Sequence, residues 1–210
     1  MEVVEYIVDN YGVSLDVRMP VEIVDMGRSE FLIMLNDLNL TKGAEIGVLK
    51  GEFGEQICKS ISNIEYYGID TWTAYGNYID YRRKNETLEY EQETVWDVCY
   101  EIAKTTLAPY NATLIRGYST EIVNQFDDNS LDFVYIDGNH DLRHTVDDID
   151  DWSKKVRPGG IIAGHDYWRR TKNVTIHVKD AVNAWTYLYG INPWFIFTKD
   201  HDPSWFWVKA

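Results

Sequence analysis

The sequence predicts an α/β fold, a doubly wound and mostly parallel sheet with helices on both faces. Three observations carry that prediction. Short apolar runs alternate with amphipathic stretches along most of the 210 residues. Two of the apolar runs stop abruptly at acids and histidines, in FVYIDGNHDLRH (133–144) and GGIIAGHDYW (159–168). The chain closes on PWFIFTKD and SWFWVK, two aromatic runs around a short polar turn with Pro203, which read as an antiparallel hairpin. Strands interleaved with helices imply right-handed crossovers and a sheet covered on both sides.

The elements follow in order. Residues 1–40 form a polar, partly helical lead-in packed on the core, in which RSEFLIMLNDL (28–38) spaces apolar residues three and four apart. GAEIGVL (43–49) reads as a buried strand, EFGEQICKSI (52–61) as a helix and IEYYGID (64–70) as the second strand. The stretch from Thr71 to Tyr90 has no clear period. It is too long for a plain connection and too aromatic for a linker, so it is expected to be a lid over an acceptor pocket or a dimer contact. A helix from Gln92 to Leu107 stops near Pro109. ATLIRG (112–117) is a strand, TEIVNQF (120–126) a helix and LDFVYID (131–137) a strand. TVDDIDDWSKKV (145–156) is helical, and its acids Asp147, Asp148, Asp150 and Asp151 are expected to form a solvated face. Arg157-Pro158-Gly159-Gly160 is a stop signal before the strand GIIAGHD (160–166). A last helix ends at Gly190.

Composition narrows the function. With 45% apolar and 14% aromatic residues the chain can pack one substantial core. Thirty-four acidic against 20 basic residues give a net charge of −14, which repels a polyphosphate backbone, so no nucleic-acid partner is expected. Arg82-Arg83-Lys84 and Arg169-Arg170 with Lys172 are short clusters of solvated surface. The two cysteines, Cys58 and Cys99, fall in helical segments and give no disulfide framework, so a reducing, cytoplasmic setting is expected. MEVVEYIVDNYG lacks a basic leader, and no apolar stretch approaches the roughly 18 residues of a membrane span.

In doubly wound sheets ligands bind beyond the carboxyl ends of the strands. There the sequence places Glu45-Ile-Gly47-Val-Leu-Lys-Gly51-Glu-Phe-Gly54. Gly47 and Gly51 let the backbone turn tightly and a ligand approach it, and the helix that follows offers free N–H groups to an anionic or carboxylate-bearing ligand. The spacing is not that of a dinucleotide turn, and Glu45 suits a cofactor bearing an amino group better than a pyrophosphate. Asp70, at the next strand end, is placed to accept hydrogen bonds from both hydroxyls of a ribose.

EIGVLKGEFGEQI, YYGID and VYIDGNHDLRHTVDDIDDWSKKVRPGGIIAGHDY together resemble the class I S-adenosylmethionine-dependent methyltransferases. The resemblance is to methyltransferase family 24 and the macrolide-sugar O-methyltransferases, with an Ile-Asp-Gly-x-His strand end and a later Gly-His-Asp. It implies a Rossmann-like sheet of seven strands in the order 3-2-1-4-5-7-6, with strand 7 antiparallel, over residues 41–210. It also implies methyl transfer to a hydroxyl of a small-molecule acceptor. Glu45, Gly47 and Gly51 would line the methionine end of the cofactor and Asp70 the ribose. Trp72 would pack on the adenine or in the core, and Tyr118 and Ser119 would meet the adenine ring. Lys50 departs from the small or polar residue expected in that turn, and its side chain is expected to point to solvent.

Asp137 and Asp166 would end neighbouring strands, and two like charges that close need a cation or proton between them. The resemblance implies a divalent metal, Mg²⁺ or Mn²⁺, on Asp137 and Asp166, with Asp137 also at the cofactor and His140 as general base; His165 stands where the sugar-acting group has an acid, and as a third ligand it would shift the preference toward Mn²⁺, Fe²⁺ or Zn²⁺, with a site that holds no metal as the alternative. His140 could instead bond the loop backbone or stack on the adenosyl group, and His144 is expected on the surface. A nicotinamide-dependent oxidoreductase and a non-catalytic nucleoside-binding or assembly protein are the competing classes. Homo-oligomerisation stays open.

Overall fold

A computed structural model of the chain describes residues 2–73, 93–170 and 176–210. Most of the stretch expected to form a lid, with its tyrosines at 75, 78, 81 and 90, lies outside the described residues, as do the basic cluster at 82–84 and Lys172. The strands are β1 (Val21–Ile23), β2 (Lys42–Ile46), β3 (Glu65–Asp70), β4 (Ala112–Arg116), β5 (Leu131–Ile136), β6 (Val156–Gly164), β7 (Trp194–Phe197) and β8 (Ser204–Val208). The helices are α1 (Val3–Tyr11), α2 (Arg28–Asp37), α3 (Glu52–Ser60), α4 (Glu93–Leu107), α5 (Ser119–Ile122), α6 (Leu142–Lys155) and α7 (Val178–Leu188).

The sheet order is β4-β3-β2-β5-β6-β8-β7-β1. Pairing is parallel except at β8, which runs antiparallel to both β6 and β7. This is the expected order of seven strands with an eighth, β1, added beyond β7. The lead-in is therefore not helical throughout. Val21 and Ile23 are buried and pair with Phe195 and Phe197. Three residues are too few to show a period in the sequence, so only the open edge of β7 makes them a strand.

A second difference lies at Arg157-Pro158-Gly159-Gly160. These residues were expected to separate helix from strand, yet β6 begins at Val156, which pairs with Leu131. The stop signal is absorbed as a register shift between Leu131 and Phe133, with Gly159 at a φ of 77°. Lys209, just past β8, holds this distortion in place, donating from its backbone N–H to Gly160 and accepting from Gly159, each at 2.8 Å. The segment 120–126 is likewise split into the single turn of α5 and a 3₁₀ turn, Val123–Gln125.

The closing hairpin supplies core to both faces of the sheet. On one side Phe195 stacks on Phe206 at 4.8 Å, with Phe31, Phe197 and Tyr135 around them. On the other, Trp205 stacks on Trp207 at 5.1 Å, close to Trp152 and Trp194. Alternation along β8 delivers these rings, and large aromatic groups dominate core energetics. Cys58 and Cys99 are buried and unpaired with each other. Among the described residues no helix is long and apolar enough to cross a membrane.

The hairpin also fixes the start of α2. The Asp200 carboxylate accepts the Arg28 N–H at 2.7 Å, the Lys199 N–H donates to Met26 at 3.1 Å, and Lys199 pairs with Glu30. Gly27, the cap position, has no side chain to do this, so the acceptor comes from a distant loop. Asp200→Ala should therefore cost about 0.5–2 kcal/mol, the usual worth of a helix cap, measured by urea unfolding.

Candidate active site

A cavity of ≈ 270 Å³ opens at the carboxyl ends of β2, β3, β4 and β5. Its floor is the glycine turn. β2 stops at Ile46, but the ladder continues: Gly47 N–H donates to Ile69 at 2.9 Å, and Asp137 N–H donates to Ile46 at 2.7 Å. Gly47 has a φ of 93°, and a Cβ there would collide with the carbonyl oxygen of Asp137. Leu49 and Gly51 also have positive φ, 51° and 80°. Glycine or strain is required at such angles.

Asp70 braces this turn. Its Oδ2 accepts the N–H groups of Val48 and Leu49, each at 2.9 Å, and its Oδ1 accepts that of Trp72 at 2.8 Å. Asp70 lines the cavity, as expected of a ribose ligand, but much of its acceptor capacity already belongs to the backbone. Burial raises its pKa, against the pull of those N–H groups. Trp72 takes the core alternative. It is fully buried, its Nε1 donates to Leu49 at 2.7 Å, its ring lies 4.6 Å from Tyr100, and it is absent from the cavity wall.

Glu45 lies in the cavity floor with 2% of its surface exposed, bonded to the Tyr66 hydroxyl. Burial pushes its pKa up to about 8, opposed by the Tyr66 hydrogen bond and reinforced by the charges of Asp137 and Asp70. Gly54 leaves the room for this pair, since a Cβ would run into the Tyr66 hydroxyl.

At the cavity edge the tips of β5 and β6 bring Asp137 and Asp166 together with two histidines. His140 Nε2 lies 3.4 Å from Asp137 and 3.2 Å from Asp166. His165 Nδ1 lies 3.7 Å and 3.5 Å from the same two acids. Asp166 adopts a φ of 52°, a costly angle for a residue with a Cβ, and so turns its carboxylate toward Asp137. Burial works to raise the Asp137 pKa, but the charges of His165 and His140 outweigh it and the net shift is downward. Burial works to lower the His165 pKa, but Asp137 and Asp166 outweigh it and the net shift is upward. The ligand atoms of Asp137, His140 and Asp166 lie within 4.8 Å of one another and could hold a metal ion. The expected ligand His165 is not part of that set, although its Nδ1 lies against the other oxygen of each acid, Asp137 Oδ2 and Asp166 Oδ1.

Several residues differ from expectation. Ser119 lines the cavity, but Tyr118 is 48% exposed and does not. Lys50 lines the cavity, and so does Arg28, which the sequence did not single out. His144 also reaches the wall, with its Nδ1 2.7 Å from the cap residue Asp141. It shares no helix face with His140, since α6 starts at Leu142. Asp148 is not solvated: 4% exposed, it lines the cavity and accepts a hydrogen bond from the Ser119 hydroxyl. Burial pushes its pKa up to about 7. Helical spacing could have revealed it, because Asp148 falls on one face with buried Thr145, Ile149 and Trp152.

The sheet and the cavity at its carboxyl edge define a doubly wound α/β protein with a small-molecule site. Residues 44–167 match the family described as a methyltransferase domain, and the chain belongs to that family. Among solved structures it resembles a Staphylococcus aureus protein provisionally described as a caffeoyl-CoA O-methyltransferase (TM-score 0.64, 15% identity, 99% of this chain and 91% of that one). It also resembles the O-methyltransferase of Bacillus cereus in complex with SAH (0.59, 15%, 99% and 89%). A third is the O-methyltransferase TomG of Streptomyces achromogenes, involved in tomaymycin synthesis and solved with SAM (0.56, 14%, 90% and 83%). These likenesses show a shared fold. The uncharacterised protein y4gI of Sinorhizobium fredii is 28% identical over 97 residues, 46% of this chain and 10% of that protein, so the chain spans about a tenth of its length.

Two outcomes follow from the floor of the cavity. Gly47→Ala should destabilise the protein by roughly 2–4 kcal/mol in urea unfolding, from the left-handed angle plus the collision. Glu45 is protonated in the fold up to about pH 8 but ionises near 4.5 when unfolded, so its contribution to stability is present below pH 4.5 and lost as pH rises to 8. The ligand-free protein should thus lose stability against Glu45→Gln across that window, by up to about 1.4 kcal/mol per pH unit. Parallel unfolding curves for the two proteins at pH 5 and pH 8 would show the acid ionised in the fold.

Proposed function

We propose that this protein transfers the methyl group of S-adenosylmethionine to a hydroxyl of a small-molecule acceptor, with a divalent cation at the site. The observation that carries this reading is the convergence of Asp137, His140 and Asp166 at the edge of the cavity floored by Glu45 and the glycine turn. Burial keeps Glu45 neutral, and an ammonium group brought against it would ionise it, which suits the amino end of the cofactor. Gly47 and Gly51 leave the backbone bare beside that end, and the amino terminus of α3 offers N–H groups to a carboxylate. Several proteins that share the fold are described as O-methyltransferases, and two were solved with SAH or SAM, which supports the same reading.

The donor set of two carboxylates and one imidazole fits Mg²⁺ or, better, Mn²⁺. Such an ion would supply Lewis acidity toward the acceptor hydroxyl, and the cofactor an already activated methyl group. The protein's own groups do the rest. His140 is anchored through its carbonyl oxygen, which accepts the His177 N–H at 2.8 Å. As a base, its imidazolium would be stabilised by Asp137 and Asp166. Its Nε2 points between those two acids, which favours the ligand role over the base role first expected for it. The methyltransferase family sets aside the nicotinamide alternative. A non-catalytic binder would keep cofactor affinity and show no turnover.

The test is S-adenosylhomocysteine formation with catechol and sugar hydroxyl acceptors, with and without Mg²⁺ or Mn²⁺. Asp166→Asn should lower kcat about a hundredfold or more while changing S-adenosylhomocysteine affinity less than about threefold, and chelation should give the same loss. Full activity in Asp166→Asn, or indifference to chelation, would remove the cation from the reading.

A further inference from the structure

Arg28 lines the cavity, yet neither the cofactor nor the cation reading uses it. It opens α2, which begins against the β7–β8 turn because Asp200 of that turn accepts the Arg28 backbone N–H. The guanidinium lies over the Phe53 ring, 5.1 Å from its centroid, and only 32% of the side chain is exposed. Its ion pair with Asp200 is loose, with Nε 4.0 Å from the carboxylate, and none of its guanidinium N–H groups donates a hydrogen bond among the described residues. Its charge works to lower the pKa of Glu45, Asp137 and His165, so it stands near the tips of β2, β5 and β6. Lys50, also in the wall, acts instead on Cys99 of α4. The two cations therefore serve different parts of the cavity, Lys50 beside α4 and Arg28 beside the aspartates.

A largely buried guanidinium without hydrogen bonds is costly unless an anion completes it. A carboxylate matches its planar fork with two parallel hydrogen bonds. The cofactor does not need Arg28 for this, since the N–H groups at the start of α3 meet its carboxylate and its ribose lies toward Asp70 on β3. Asp166 lies on the other side of β2, at the tip of β6, and an acceptor bound at the aspartates sits on that side with Arg28. The region is otherwise acidic, and Asp137 and Asp166 would repel a negatively charged acceptor unless a cation offset them. Resting on the methyl-transfer reading above, we propose that Arg28 binds a carboxylate of the acceptor and makes the protein a methyltransferase of hydroxy acids. The Phe53 ring supports the guanidinium from below and leaves its edge to the ligand. A neutral acceptor of the same shape would leave that edge unmet, and this difference is the source of the selectivity.

Calorimetric titration with S-adenosylhomocysteine and Mn²⁺ present tests the assignment, using two pairs of acceptors that differ in charge: 3,4-dihydroxybenzoate with 3,4-dihydroxybenzamide, and galacturonate with galactose. In at least one pair the wild-type protein should bind the acid about ten- to a hundredfold more tightly, the worth of charge-assisted hydrogen bonds in a partly buried site. Arg28→Gln should bring that acid and its neutral partner within about threefold of each other and change S-adenosylhomocysteine affinity by less than about threefold. Arg28→Lys keeps the charge without the fork and should fall between. Arg28→Met still covers Phe53 and should also lose the preference, so it serves if the glutamine variant does not fold. An unchanged preference in folded Arg28→Gln or Arg28→Met would send the carboxylate to the cation and overturn the role of Arg28. Equal binding of acid and neutral partner by the wild type, or binding of neither acid, overturns it as well. So does a larger loss of S-adenosylhomocysteine affinity in those variants, which would give Arg28 to the cofactor. Each of these outcomes leaves the methyl-transfer reading intact, whereas a wild-type protein that does not bind S-adenosylhomocysteine overturns both.

Discussion

The site depends on one backbone contact, the glycine turn after β2 lying directly against the tip of β5. Gly47 and Asp137 are close enough that no side-chain carbon fits between them. The contact exists because β2 is central, with β3 on one side and β5 on the other, and hydrogen bonds extend both ladders one residue past the strand. Everything at the carboxyl edge inherits its position from this. Glu45 is drawn into the floor, Asp70 is set beneath the turn to collect its N–H groups, and Asp137 emerges beside them at the start of the loop to α6.

That arrangement concentrates negative charge in a poorly hydrated volume, in a chain that already carries a net charge of −14. The protein resolves the conflict differently at each acid. Glu45 is neutral and bonded to a tyrosine, and Asp70 is surrounded by backbone donors. Asp137 faces Asp166 across two imidazoles, which hold it in its charged form. Asp148 is met by the Ser119 hydroxyl and by the charge of His144, and burial still pushes its pKa up to about 7. The differences matter chemically, because a neutral acid, a braced acid and a paired acid offer a ligand three distinct kinds of hydrogen-bonding surface within one cavity.

Much of the fold was legible because its signals are local. Buried parallel strands such as LDFVYI are continuous apolar runs, and the alternation of such runs with helical periods sets the sheet. The elements that escaped lack local signals. Val21–Ile23 is a strand only because β7 offers an edge, and Val156–Gly160 joins β6 only because Leu131 and Lys209 pair with it across the sheet. The acidic run of α6 misled for another reason. Four aspartates in five residues read as one solvated face, although the helix turns one of them, Asp148, inward with Ile149 and Trp152.

The sequence by itself determined the order of elements, the glycine turn and the strand ends that carry Glu45, Asp70, Asp137 and Asp166, since periodicity and turn chemistry are written in neighbouring residues. Only the tertiary structure decided that Trp72 packs behind the turn rather than in the cavity, that His140 comes within reach of both aspartates, and that Arg28, Lys50 and Asp148 reach the wall. Those outcomes turn on which side chain meets which across separate strands and helices. Distances between residues remote in the chain are set by packing, and no local pattern encodes them.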